Sequence, residues 1–167
     1  MFEKVIHKGR SLRIGGIIEE PNLCLVKVLG IPDKVGGAAA AVRSFGKVGV
    51  NIEFISESAD VSGLANITVA IGMSDLDRFA EHMSVLQRET GAVRVEKRAG
   101  CAVVGVYGPH FREIPGVAAM LFSALSEADV NLLAIASSIS SLCCVVADKD
   151  RAAARKAILV AFETTAE

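Results

Sequence analysis

The chain has 167 residues, of which 51% are hydrophobic, and its formal net charge is −1. This length and composition suffice for one average domain or two small ones, each with its own apolar core. The 18 Lys and Arg residues are scattered along the sequence, and aromatic residues make up only 5%, so we expect no nucleic-acid partner.

The N-terminal residues lack the long apolar run of a signal peptide. No later segment has about 18 uninterrupted apolar residues, which is the length that a membrane-spanning helix needs. The sequence therefore predicts a cytoplasmic, globular protein that has no membrane partner.

The first half of the chain alternates between strand and helix patterns. Leu23 to Ile31 alternates like a strand, and Gly36 to Val48 has apolar residues at helical spacing. The predicted elements that follow are the strand Asn51 to Ser58, a turn at Asp60 to Gly63, the strand Leu64 to Ile71, the helix Asp75 to Thr90 and the strand Ala92 to Lys97. Ser74 is the expected N-cap of the second helix and Gly91 its C-terminal stop. The order is βαββαβ, the ferredoxin-like motif.

The second half repeats this order but ends before its final strand. Its predicted elements are Cys101 to Tyr107, Gly116 to Ala128, Asn131 to Ser138, Ser141 to Ala147 and Asp150 to Phe162, in the order βαββα. The segment Leu12 to Ile18 is strand-like and is not needed by the first half. We therefore expect it to complete the second sheet and so to interweave the two domains. The expected boundaries are an N-terminal segment at 1–22, a first domain at 23–98 and a second domain at 99–167.

Repeated glycine and asparagine positions support this duplication. Gly36 and Asn51 recur as Gly116 and Asn131, both at an offset of 80 residues, whereas the strands before the helices recur at an offset of 75. The second copy therefore carries five extra residues in the loop before its first helix, an insertion that loops absorb at small cost. Self-similarity at a fixed offset indicates two copies of one structural unit.

Nothing in the sequence predicts a metal site, a cofactor or a catalytic residue. The cysteines lie in apolar, strand-like runs without C-x-x-C spacing, which favours packing in the core. They are Cys24, Cys101, Cys143 and Cys144. The three histidines, His7, His82 and His110, stand far apart and lack metal-ligand spacing.

Four segments carry a resemblance to a known family. They are Leu29 to Gly36 and Val50 to Glu53 in the first copy, Ile114 to Met120 followed by Asn131 in the second, and the lead-in Ile14 to Ile17. In these segments the chain resembles the tandem ACT domains of the regulatory half of bacterial aspartate kinases. The resemblance implies an α+β fold of two ferredoxin-like βαββαβ ACT domains. Strand counting predicts that the N-terminal strand interweaves them, and apolar edge strands favour side-by-side sheets in a homodimer. Since the sequence contains no kinase half, the resemblance also implies a non-catalytic regulator, with an amino acid effector and a larger kinase subunit as partners.

Several of these residues suit the recognition of a free amino acid. A helix N-terminus offers unpaired N–H groups to a carboxylate, and Gly36 and Gly37 lack the Cβ atoms that would keep a ligand away. The amide of Asn51 offers donors and an acceptor, and Asp33 and Glu53 add negative charge for an ammonium group. The same residue types are common at helix starts and in turns, so a purely structural role is the alternative for the glycines, for Asp33 and for the asparagines Asn51 and Asn131.

The resemblance also implies where the effector binds. The site would lie between the first domain of one chain and the second domain of another, and its ligand would be lysine, threonine or a related amino acid. The residues at matching positions are Asp33, Gly36, Gly37, Asn51, Ile52, Glu53 and Glu57 in the first copy and Gly116, Asn131 and Leu132 in the second.

Some positions depart from the pattern of the family. They are Val35, Glu57, Asn66 and the run Ile139-Ser140-Ser141. These departures motivate a second hypothesis, in which the chain is a ligand-free structural or interaction module of the ACT type. A third hypothesis, a small enzyme with a ferredoxin-like fold, lacks a clustered acid, base and nucleophile in the sequence.

Overall fold

The computed structural model describes residues 12–109 and 111–164, except for the side chain of Arg112. The start of the predicted N-terminal segment, with His7, and the loop residue His110 lie outside the described residues. Two compact units are present. The first unit comprises residues 22–101, and the second unit comprises residues 12–21 together with residues 102–164.

Eight strands and four helices form the described part of the chain. The strands are β1 (Leu12–Ile14), β2 (Gly16–Pro32), β3 (Phe54–Ala59), β4 (Leu64–Gly72), β5 (Arg94–Tyr107), β6 (Ala134–Ser137), β7 (Ser141–Ala147) and β8 (Phe162–Thr164). The helices are α1 (Gly37–Lys47), α2 (Leu76–Thr90), α3 (Val117–Glu127) and α4 (Arg151–Ala161). The element order confirms the predicted α+β class and its βαββαβ arrangement.

The first unit is a four-stranded sheet covered by α1 and α2. Its strand order is β3-β4-β2-β5, and β4 pairs antiparallel with both β3 and β2. Phe45 of α1 and Phe79 of α2 stack with ring centroids 4.7 Å apart, and both are almost fully buried. Burying one such side chain contributes about 1.5–3 kcal/mol, so this contact holds the two helices together on the sheet.

The second unit repeats this plan with strands from both ends of the chain. Its strand order is β2-β5-β7-β6, and a separate parallel pair joins β1 to β8, with Leu12 opposite Phe162. The core beneath α3 and α4 includes Leu121, Leu125 and Ile158. Glu19 of β2 forms ion pairs with Arg151 and Arg155, which ties the N-terminal strand to α4.

The predicted strand from Leu12 to Ile18 is wrong in one respect, because it is interrupted at Gly15. The N–H of Gly15 donates a hydrogen bond to the carbonyl oxygen of Tyr107 at 2.7 Å. A Cβ atom on Gly15 or Gly16 would lie within 2.9 Å of the Tyr107 ring. This close approach separates β1, which turns to β8, from β2, which continues along the sheet.

Other predicted boundaries shift as well. The two strands predicted at Ala92 to Lys97 and Cys101 to Tyr107 form one continuous strand, β5, because Gly100 adopts a φ of 70° and lets the strand bend without ending. Ser74 does not cap α2, since a single 3-10 turn precedes this helix and no side chain caps it. The predicted stop at Gly91 is confirmed by its left-handed φ of 71°.

Substitution of Gly105 in β5 tests how closely β5 and β7 are packed. A Cβ atom at this position would overlap the carbonyl oxygen of Leu142 and lie 3.0 Å from the Cα of Cys143. We expect Gly105→Ala to lower the free energy of unfolding by about 1–3 kcal/mol, because neighbouring backbone cannot move aside.

The matched control is Gly46→Ala in α1, where a Cβ atom meets nothing within 4 Å. This change should raise the free energy of unfolding by about 0.5–1 kcal/mol, because alanine is the better helix former. Urea denaturation of both variants measures the difference. Equal effects of the two substitutions would contradict the packing described for β5 and β7.

Candidate functional site

The first group of predicted site residues lies where α1 begins, and we call this the glycine end of the first unit. Gly36 precedes α1 with a φ of 93°, in the left-handed region that favours glycine, and α1 has no side-chain cap. The N–H of Asp33 donates to the carbonyl oxygen of Gly63 at 3.0 Å, so the turn between β3 and β4 belongs to this end. The N–H of Gly37 donates to the carbonyl oxygen of Lys34 at 3.1 Å, so it is the next N–H groups of the first helical turn that are suited to an anionic group.

A fixed negative charge also lies in that turn. Hydrogen bonds from the hydroxyl of Ser62 and from the N–H groups of Leu64 and Ser62 lower the pKa of the Asp60 carboxyl. The carboxylate of Asp60 therefore stabilises the turn through these hydrogen bonds. The glycine end of the first unit thus carries the side-chain charges of Asp33, Lys34 and Asp60.

The second group of predicted residues lies where α1 has ended, and we call this the asparagine end. The Asn51 amide donates to a carboxylate oxygen of Glu53 at 2.8 Å, and both side chains are exposed. Ile52 packs against the core, and the N–H of Glu53 donates to the carbonyl oxygen of Ala70. Asn51 precedes β3 and is not part of a strand, contrary to the sequence prediction. Glu57 is exposed further along β3, opposite Ile67.

These two groups do not meet within the first unit. Helix α1 has 11 residues between them, which corresponds to a length of about 16 Å. A free amino acid is much shorter than this distance. The two groups of predicted residues therefore lie at opposite ends of α1.

The second unit has the same arrangement with different chemistry. Gly116 precedes α3 with a φ of 93°, matching the value at Gly36, and α3 also has no side-chain cap. A cavity of about 560 Å³ opens at this glycine end. Its walls include Phe111, Ile114, Ser137, Ile139 and Leu142.

Asn131 and Leu132 lie at the asparagine end of the second unit. They line a cavity of about 350 Å³ together with Phe122, Ser126 and Asp129. Asn131 is exposed and Leu132 is packed partly against the core. As at Asn51, the asparagine precedes its strand, since β6 begins at Ala134.

The walls of the 560 Å³ cavity were missed by the sequence prediction apart from Gly116. Phe111 and Ile114 come from the loop that is longer in the second copy, and Ile139 comes from the run that departs from the family pattern. The inserted loop and the altered run were the available signals. Neither signal indicates by itself that the two segments meet.

The remaining chemistry of the described residues is sparse. No group of three His, Cys, Asp or Glu in the described ranges is placed to hold a metal ion. Burial raises the pKa of the Cys144 thiol to about 12, and the pKa values of Cys24 and Cys143 are also raised by burial. These thiols are therefore protonated at neutral pH and poor nucleophiles. No helix in the described part of the chain is long and apolar enough to cross a membrane.

The chain is similar to several known proteins. The ACT domain family matches residues 104–162. An aspartokinase of Bacillus sp. (strain MGA3) is 24% identical over 166 residues, covering 98% of this chain and 40% of the relative. An aspartokinase of Mycolicibacterium smegmatis is 28% identical over 149 residues, covering 88% of this chain and 35% of the relative. The chain thus spans less than half the length of these relatives.

Solved structures share the fold. The ligand-free regulatory subunit of aspartate kinase from Thermus thermophilus superposes with a TM-score of 0.79 at 21% identity, covering 90% of this chain and 99% of that chain. The aspartate kinase from Synechocystis superposes with a TM-score of 0.86 at 22% identity, covering 94% of this chain and 28% of that chain. Residues 104–162 therefore match the ACT domain family, and most of the chain is similar in fold to the regulatory subunit of aspartate kinase.

Proposed function

We propose that this protein is a non-catalytic regulator that binds a free amino acid between the ACT units of two chains. The observation that carries this proposal is the division of each unit into a glycine end and an asparagine end about 16 Å apart. The asparagine end of the first unit offers an amide and a carboxylate, and it lies at the C-terminal end of α1 and not at its N-terminus. The glycine end of the second unit offers helix N–H groups and apolar walls, but none of its lining residues in the described part of the chain carries a charge for an ammonium group. A second copy of the chain supplies the missing half.

The edge strands indicate how two copies combine. β3 is the edge strand of the first unit and β6 is the edge strand of the second unit. When β3 pairs antiparallel with β6 of another copy, the start of β3 lies beside the end of β6. The glycine end of each unit then lies beside the asparagine end of the other copy's unit. A twofold axis relates two equivalent β3–β6 pairings. Together they give a closed homodimer with side-by-side sheets.

Exposed apolar side chains on both edges support this pairing. Ile55 of β3 is 45% exposed, and Ile135 of β6, its counterpart at the offset of 80 residues, is 43% exposed. Unpaired edge strands with apolar side chains are ready templates for pairing with another chain. The duplication thus places the same feature on the two edges that must meet.

We assign the ACT domain of this chain a regulatory role. A ligand that binds between two chains can regulate them by favouring one arrangement of the units. An amino acid that contacts both chains favours the arrangement of units that it bridges, and so biases whatever the dimer is attached to. A similar solved structure contains aspartokinase alpha and beta subunits. We therefore propose a larger kinase subunit as partner, lysine or threonine as effectors, and a cytoplasmic location.

Binding of an amino acid should raise the melting temperature of the full chain. A ligand at about 100 times its dissociation constant stabilises the folded state by roughly 2.7 kcal/mol. We expect such a shift with at least one of the twenty amino acids in a thermal-shift experiment. Asn51→Ala should reduce it, whereas Ser84→Ala, an exposed change on α2, should leave it intact.

The ligand-free interaction module makes the opposite prediction. Asn51 and Glu53 already satisfy each other by a hydrogen bond of 2.8 Å, as expected for residues that only shape the surface. Absence of a shift with every amino acid would favour this alternative over the proposed regulator.

The pairing of edge strands predicts a specific effect on the oligomeric state. Ile55→Lys combined with Ile135→Lys places charges on both edges, and lysine is a residue that keeps edge strands apart. Sedimentation equilibrium should show a dimer for the wild type and a dissociation constant at least about tenfold higher for the double variant. Val160→Lys, an exposed change on α4, is the control and should not alter it. A double variant that dimerises as tightly as the wild type would contradict the pairing.

A further inference from the structure

The cavity at the glycine end of the second unit has the properties of a small-molecule pocket. Its volume of about 560 Å³ lies within the range of about 300–1,000 Å³ that is typical of ligand sites. Its walls come from three separate parts of the second unit, namely the loop before α3, the first turn of α3 and the hairpin between β6 and β7. The side chains that matter for specificity are those of Phe111, Ile114, Ser137, Ile139 and Leu142.

The polar groups of this pocket are few and uncharged. No residue that lines it in the described part of the chain carries a charge. The hydroxyl of Ser138 contacts the hydroxyl of Ser141 at 2.8 Å and accepts from the N–H of Ser141, so it is used within the hairpin. The N–H groups of the first turn of α3 have no side-chain cap. They are therefore suited to a carboxylate.

The corresponding end of the first unit is different. There the charged residues Asp33 and Lys34 lie in the loop before α1, and Asp60 lies in the turn that Asp33 contacts through a backbone hydrogen bond. In the second unit the longer loop contributes Phe111 and Ile114, and the hairpin contributes Ile139, which is 70% exposed at the mouth of the pocket. The two glycine ends have the same backbone and opposite side-chain chemistry.

This contrast decides which amino acid side chains suit the pocket. A side-chain ammonium group brought among these apolar walls would lose its hydration, and the walls themselves supply no charged partner for it, which is costly. A branched aliphatic side chain gains from the same walls, because apolar surface on both sides is removed from water. The walls therefore discriminate against lysine and in favour of aliphatic side chains.

We propose that the pocket formed by Phe111, Ile114, Gly116 and Ile139 binds an amino acid with a branched aliphatic side chain, namely valine, leucine or isoleucine. The ligand's carboxylate lies at the first turn of α3, and its side chain lies against Phe111, Ile114 and Ile139. This inference rests on the proposed function, because it assigns a ligand class to one of the two kinds of amino-acid site. A dimer then has two kinds of site, one at Gly36 and one at Gly116, which differ in the amino acid that they bind.

Isothermal titration calorimetry on the full chain tests this assignment, with isoleucine, valine, leucine, lysine and threonine as the ligands. The informative variant is Ile139→Asp, which places a charge at the mouth of the pocket on an exposed hairpin and spares the core. Val61→Asp is the matched control, since Val61 is a fully exposed residue in the corresponding hairpin of the first unit. We expect at least one aliphatic amino acid to bind, and its affinity to fall by at least about tenfold in Ile139→Asp but not in Val61→Asp.

The outcomes separate this inference from the proposed function. Binding of lysine or threonine without any aliphatic amino acid overturns the inference and leaves the proposed function standing. Aliphatic binding that survives Ile139→Asp also overturns it, because the ligand then lies elsewhere. Absence of binding by every amino acid overturns both. Circular dichroism of the two variants should match the wild type, so that loss of binding reports on the pocket and not on unfolding.

Discussion

The packing of each helix pair against its sheet determines where the functional groups lie. Phe45 and Phe79 in the first unit, and Leu121 and Leu125 in the second, are buried almost completely. Sliding α1 or α3 by one turn, about 5.4 Å, would expose such side chains at a cost of about 1.5–3 kcal/mol each. The glycine end and the asparagine end of each unit are therefore held apart. A site that needs groups from both ends of one unit cannot form within that unit.

The two units share a backbone but have diverged in their side chains. In the first unit the hydroxyl of Ser44 contacts Nε2 of His82 at 2.8 Å between α1 and α2. The corresponding residues of the second unit are Ala124 and Ala157, which line a shallow apolar groove between α3 and α4. The same divergence separates the charged glycine end of the first unit from the apolar one of the second. Duplication has thus given one chain two surfaces at matching positions with distinct chemistry.

Much of the fold could be predicted from the sequence, because it depends on local patterns that occur twice. Gly36 and Gly116 both precede a helix, as predicted, and both adopt the left-handed conformation that explains why glycine stands there. The break at Gly15 could not be predicted, because its cause is the ring of Tyr107, which lies far away in sequence. That Gly36 and Asn51 bind a ligand stays a prediction. Their separation follows from the length of α1, whereas the family resemblance and their chemistry grouped them in one effector site.

The pocket at Gly116 escaped prediction for a different reason. Phe111 lies in a single 3-10 turn and Ile114 directly follows it, and so short a segment has no periodicity that indicates which way a side chain points. Ile139 lies in a hairpin turn and is largely exposed, so that its sequence context indicates only a surface residue. Only the tertiary structure brings the loop and the hairpin to the same end of α3. Binding sites assembled from loops on a rigid scaffold commonly have this property.

The claim that each site is shared by two chains is tested most directly by mixing two defective variants. Asn51→Ala leaves the pocket at Gly116 intact, and Ile139→Asp leaves Asn51 intact, so a mixed dimer contains one undamaged site. Calorimetry on an equal mixture of the two variants, after subunit exchange, should recover binding of the aliphatic amino acid. The expected number of sites is about a quarter of the wild-type number, because half of the dimers are mixed and each mixed dimer has one intact site out of two. A mixture that binds no better than either variant alone would show that the two half-sites do not come together from different chains.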